Sequence, residues 1–253
     1  MLFTKLDNIG ETTINKIAEM AFKSQIKEAE HLSVKVKTDR NKLAKGVLES
    51  INIDGYGLTM QKNLCLEKMT INLSEIAVNP LKAIMGNVQL TQPSYGSAYV
   101  VLSEANIETA LNLHNLNQQL SKYQILVNHQ PVTTRFSRVD CRILDDGRVS
   151  VKAKLSILDK NKSAVKSICL IFKPTICTQG NGIIFSEIVC TQGQELSPIL
   201  TNALIEEAKR IFNLNHFSMD GISLDVNRFD IQEGKLNLSA KAGLTHLLSK
   251  KSN

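Results

Sequence analysis

Hydrophobic positions along this chain follow a period near 3.6 at first and then switch abruptly to two. Ile14, Ile17, Ala18, Ala21, Phe22 and Ala29 recur on one broad face, with Thr12 or Thr13 able to cap, which predicts a helix over 12–30. Leu32, Val34 and Val36 then alternate with Ser33, Lys35 and Lys37, the pattern of a half-buried strand. Leu64, Leu66, Met69, Ile71 and Leu73 continue the sheet, and Val88–Leu102 reads as further strand interrupted at Pro93. Ser103 is placed to cap a short helix carrying Ala105, Ile107, Ala110 and Leu111, and a second short helix holds Leu113, Leu116, Leu120 and Tyr123. From 131 to 193 the pattern is almost all strand, with turns at Asp145-Asp146-Gly147, Asp159–Lys162 and Gly180-Asn181-Gly182. Ser197-Pro198 opens a second long amphipathic helix striped with Leu200, Leu204, Ala208, Ile211 and Phe212, and two closing strands surround Gly234.

An internal repeat lies inside this pattern. Asp39-Arg40-Asn41-Lys42-Leu43-Ala44-Lys45-Gly46 matches Asn79-Pro80-Leu81-Lys82-Ala83-Ile84-Met85-Gly86 at an offset of 40. Asp39 and Asn79 suit helix N-caps, Pro80 suits the first helical position, and Gly46 and Gly86 suit the left-handed residue after a helix. Each copy is thus strand, one or two helical turns, strand, with the following strands expected to end near Tyr56-Gly57 and Tyr95-Gly96. A weaker echo at an offset of 87 relates Val139…Gly147…Lys154 to Val226…Gly234…Lys241, which generic hairpin similarity also explains.

Composition narrows the class. With 253 residues, 43% hydrophobic and 21% charged, the chain buries a core without staples and is neither disordered nor a coiled coil. Its formal charge of +6 is unevenly spread. Residues 32–48 carry Lys35, Lys37, Arg40, Lys42 and Lys45 against Asp39, and 135–173 carry ten basic residues against four aspartates. Two basic patches point to an anionic partner, whether lipid headgroups, nucleic acid or an acidic protein. The absence of Trp and 5% aromatics argue against a specific nucleic-acid binder.

Five cysteines with no C-x-x-C, and histidines never two to five residues apart, predict reduced thiols rather than a disulfide framework or a metal site. No phosphate loop, nucleophile elbow or metalloprotease signature occurs, and Gly55-Tyr56-Gly57 reads as a turn. Neither catalytic residues nor a cofactor are expected. No secretory or membrane-spanning stretch is seen, so the expectation is a cytoplasmic chain whose membrane contact is peripheral.

A family resemblance rests on particular residues. The run Ile14–Leu111 resembles the LmeA-type phospholipid-binding family, which includes a lipomannan elongation factor and has paralogues in photosynthetic bacteria. It is carried by Lys27-Glu28-Ala29-Glu30, Leu32-Ser33-Val34-Lys35-Val36-Lys37, Lys42-Leu43 before Gly46, and Ile51-x-Ile53-x-Gly55-x-Gly57-Leu58. It continues in Glu67-x-Met69, Asn79-Pro80-Leu81 and Val100-Val101-Leu102-Ser103-Glu104-Ala105-Asn106-Ile107. The resemblance implies an α+β fold: a long, strongly curved antiparallel sheet around long amphipathic helices, like the tubular lipid-binding proteins. The chain then forms one elongated domain, 1–253, divisible into halves 1–125 and 126–253. It implies non-enzymatic binding of a phospholipid or other apolar ligand at an anionic membrane surface. The alternative is a scaffold that binds a protein partner, of unspecified identity, through sheet edges or helices. The repeated turns are the expected lipid contacts: Arg40, Lys42 and Lys45 toward headgroups with Leu43 packed inward, and Leu81, Ile84 and Met85 toward the acyl region.

Overall fold

The computed structural model describes residues 11–38, 40–60, 64–84, 89–113, 125–127, 130–159, 162–176, 183–192 and 221–246, with 202, 205 and 206. Four helices (α1, Glu11–Lys23; α2, Arg40–Ala44; α3, Pro80–Ile84; α4, Glu104–Leu113) accompany eleven strands among these residues. The strands are β1 (Ile26–Lys37), β2 (Val47–Met60), β3 (Cys65–Ala77), β4 (Ser94–Ser103), β5 (Ile125–Val127) and β6 (Gln130–Ile143), then β7 (Val149–Asp159), β8 (Lys162–Ile176), β9 (Ile183–Gln192), β10 (Ile222–Gln232) and β11 (Lys235–Leu244).

They form two antiparallel sheets, ordered β1-β2-β3-β4-β11-β10 and β5-β6-β7-β8-β9. The C-terminal hairpin β10–β11 therefore completes the sheet begun at β1, beside β4. Alternation decides which face is buried. Ile51, Ile53, Met69, Ile71, Val100, Leu236 and Leu238 from the first sheet join Val139, Val151, Leu155, Leu170 and Phe172 from the second in one continuous apolar core. The opposite faces carry most of the intervening polar residues, with some exposed aliphatic and tyrosine side chains among them.

Helix α1 is shorter than its periodicity predicts. Ala18 and Phe22 are buried, but the helix ends at Lys23, and Ile26 already pairs with Met60 as β1 begins. The apolar positions after Phe22 fit a strand equally well, and pairing with β2 satisfies their backbone groups. Gly55-Tyr56-Gly57 is likewise not a turn. It lies within β2, which runs on to Met60; Gly57 adopts a left-handed φ of 56° without a register shift, and the Leu58 side chain is buried over Gly55. Tyr95-Gly96 opens β4 rather than closing a strand, because an isolated bridge between Val78 and Leu90 precedes Pro93.

The two hairpins of the weaker repeat differ in their loops. Asp145-Asp146-Gly147 is a turn closed by the Gly147 N–H donating to the Leu144 carbonyl (3.0 Å), with Gly147 at φ 81°. Glu233-Gly234 is a two-residue turn with both φ positive, the hairpin type that matches strand twist. The second long helix, the helix predicted over 113–123 and the Gly180-Asn181-Gly182 turn lie outside the described residues, apart from helical 202, 205 and 206 and Leu113, which ends α4.

Exposed strand edges are closed by helices in two places. The Val36 N–H of β1 donates to Asn15 Oδ1 on α1 at 2.6 Å. Along β6 the match is more extended. The backbone N–H groups of Ile143, Cys141 and Val139 donate to Glu104 Oε1 (2.6 Å), Glu108 Oε2 (3.4 Å) and Asn112 Oδ1 (3.0 Å), and Asn112 Nδ2 donates to the Val139 carbonyl at 2.7 Å. Four helical residues rise about 6 Å and two strand residues about 6.8 Å, so an i, i+4, i+8 set meets alternate residues of a strand. Ser103 caps α4 reciprocally: its hydroxyl accepts from the Asn106 N–H (3.3 Å), and Asn106 Oδ1 accepts from the Ser103 N–H (3.0 Å).

Candidate lipid-contact surfaces

The repeat becomes a structural unit. α2 connects β1 to β2 and α3 connects β3 to β4, so both five-residue helices stand at the same end of the first sheet. They touch through Gly46, whose carbonyl accepts from the Val78 N–H at 2.7 Å. Gly46 has φ 75°, and a Cβ there would lie 2.4 Å from the Val78 carbonyl oxygen, so the contact requires glycine twice over. Asn79 caps α3, its Oδ1 accepting from the Lys82 N–H at 3.1 Å.

The side chains divide by chemistry. Leu43 is buried under α2. Lys42 reaches Glu49 at 2.6 Å, and Lys37 approaches the same carboxylate at 3.7 Å. Lys45 is exposed, and Lys82 hydrogen-bonds Gln89. Leu81, 68% exposed, projects an aliphatic side chain beside these lysines. Arg40 begins α2 and Ile84 ends α3, but their side chains, and all of Met85, lie outside the described residues. Lys42, Leu43, Lys45 and Leu81 are thus brought to one end of the sheet.

A second surface contains the basic patch read at 135–173, but its exposed aliphatic part escaped sequence reasoning. On the face of the second sheet opposite the core, β6 and β7 carry basic residues while β8 and β9 carry exposed aliphatic ones. Arg138 and Arg142 are held by acidic partners, Arg138 by Asp140 (2.6 Å) and Glu108 (3.4 Å), Arg142 by Glu104 (2.9 Å). These hydrogen-bonded carboxylates raise both guanidinium pKa values further. Lys152 and Lys154 stand exposed on β7. Val165 is 68% exposed, and Ile171 lies directly across from Val189, 48% exposed. The available signal is phase: Val165 is out of step with buried Ile168, Leu170 and Phe172.

Cysteines are free among the described residues, and Cys141 alone is fully buried. Burial foremost, then the nearby Glu104 and Glu108 carboxylates, pushes its thiol up to about 12. No metal-ligating cluster occurs among the described residues, and none of their helices is long and apolar enough to cross a membrane.

The antiparallel sheet-rich architecture agrees with the family resemblance noted in the sequence. No curated protein and no solved structure matches the chain. A family described as LmeA-like phospholipid-binding matches residues 6–241. The chain belongs to the LmeA-like phospholipid-binding family.

Proposed function

We propose that this chain is a non-enzymatic phospholipid-binding protein that works at a membrane surface, where it holds or transfers lipid. The observation that carries the reading is the family match across 6–241. The α2–α3 end supplies a physical means. Lys42 and Lys45, with Arg40, meet anionic headgroups, while Leu81, joined by Ile84 and Met85, enters the acyl boundary.

The test is native mass spectrometry and lipid extraction of the purified full chain, with flotation on phosphatidylglycerol vesicles. A copurified phospholipid and anionic-vesicle binding are expected. Lipid-free protein that ignores such vesicles would overturn the reading.

One observation favours a protein partner instead. Tyr56, Tyr95 and Tyr99, all on the polar face of the first sheet, are exposed, and tyrosine is enriched at protein interfaces. A stoichiometric protein partner recovered with no lipid would favour that second reading.

A further inference from the structure

We infer that the outer face of the second sheet is a separate docking surface for an anionic phospholipid bilayer, so that one molecule contacts two membranes. The inference takes only the lipid chemistry from the preceding reading. The surface belongs to strands remote in sequence from α2 and α3, so loss of one contact leaves the other.

Charge and apolar area are laid side by side on this face. Lys152 and Lys154 project from β7 on the same side as Arg138 and Arg142, with which the register aligns them. Arg138 lies across from Lys154, and Arg142 lies across from Ser150. Arg135 and Lys173 bring the basic count to six, and Asp140, Glu104, Glu108 and Glu187 oppose them, leaving 6 − 4 = +2 among the described side chains. Across β8 and β9 the same face becomes aliphatic. Ile184 is 51% and Val189 48% exposed, lying across from Thr175 and Ile171.

That composition selects the occupant. Protein interfaces are enriched in Tyr, Trp and Arg and depleted in Lys. Here Arg138 and Arg142 are already engaged by carboxylates, and the exposed residues beside them are β-branched aliphatics and lysines, with no exposed aromatic among the described residues of these strands. A bilayer asks only for positive charge at the headgroups and aliphatic side chains at the acyl boundary.

The experiment uses the full chain and vesicles of phosphatidylglycerol with phosphatidylcholine. Two double variants, Lys152→Gln with Lys154→Gln and Ile184→Ser with Val189→Ser, are compared with Arg40→Gln, Lys42→Gln, Lys45→Gln. Flotation reports binding, light scattering reports vesicle clustering, and native mass spectrometry reports bound lipid. Measured in the triple-variant background, where α2 no longer contributes, the lysine pair should weaken vesicle binding about thirtyfold at low salt. The intact chain should cluster vesicles, and variants lacking either surface should bind without clustering while keeping any copurified lipid. Outer-face variants that cluster vesicles as well as the intact chain would overturn the inference. So would a vesicle-independent dimer lost only in the Ile184/Val189 variant, which assigns the face to a second copy, or an acidic protein captured with vesicles ignored. Loss of copurified lipid from every variant and from the intact chain counts against the proposed function instead, because clustering is read separately.

Discussion

Gly46 shows how a single missing Cβ holds the two repeated turns together. Its left-handed φ costs an L side chain about 1 kcal/mol, and the overlap with the Val78 carbonyl adds to that. Gly234 shares the left-handed conformation, at φ 69°, but a Cβ there meets nothing within 4 Å. Urea denaturation should therefore separate the two effects. Gly234→Ala should lose about 1 kcal/mol, and Gly46→Ala at least about twice as much. Equal losses would mean that the Gly46–Val78 contact relaxes freely. Cys141 offers a second test at this scale. Its thiol is held protonated up to about 12, against an ordinary value of 9.0. A group whose folded pKa is raised contributes stability below its unfolded pKa, and that contribution is lost as pH rises through the folded one. Stability should accordingly fall between pH 9 and 12, and Cys141→Ala should flatten that decline. At pH 8, thiol reagents should modify half-buried Cys65 and Cys169 before Cys141.

The element that couples the two sheets is α4. It follows β4 of the first sheet directly and binds the edge of β6 in the second through three side chains on one helical face. Removing an acceptor leaves a part-buried N–H unpaired, which costs about 1–3 kcal/mol. Glu104→Ala should therefore destabilise by that amount and speed amide hydrogen exchange at Ile143. Glu104→Gln keeps an acceptor oxygen and loses only the exposed ion pair with Arg142, so its cost should be below about 1 kcal/mol. The helix itself was legible from Ser103 and from buried Ile107, Ala110 and Leu111. Its polar partner strand was not, because nothing in a Glu-x-x-x-Glu-x-x-x-Asn spacing separates a strand edge from solvent. The end of α1 is not written in the sequence for a related reason: local periodicity carries no record of Met60, the long-range partner that draws Ile26 into a strand. The offset-40 repeat was the most readable feature, since caps and glycines specify a helical turn locally, whatever the distant sheet does.

At the scale of the whole molecule, the chain belongs to a phospholipid-binding family. A binder of apolar chains needs continuous apolar faces and correctly placed charge, both of which tolerate many residue choices. The face of each strand was therefore predictable, whereas the meeting of α2 with α3, and of β7 lysines with β8–β9 aliphatics, emerged only from strand order. The repeated turns supply the last test. Glu49 already engages Lys42 and approaches Lys37, so part of the positive charge at that end is neutralised before any membrane arrives. Each free basic side chain near an anionic surface contributes about 1 kcal/mol, and the internal pair must lend its cation to the headgroups to do so. Glu49→Gln should thus strengthen binding to phosphatidylglycerol vesicles by about fivefold at low salt, an effect screened away near 1 M salt. Leu81→Ser should weaken binding at both ionic strengths, since burial of an aliphatic side chain is not screened. If Glu49→Gln leaves vesicle binding unchanged while Leu81→Ser also has no effect, the α2–α3 end does not face the membrane.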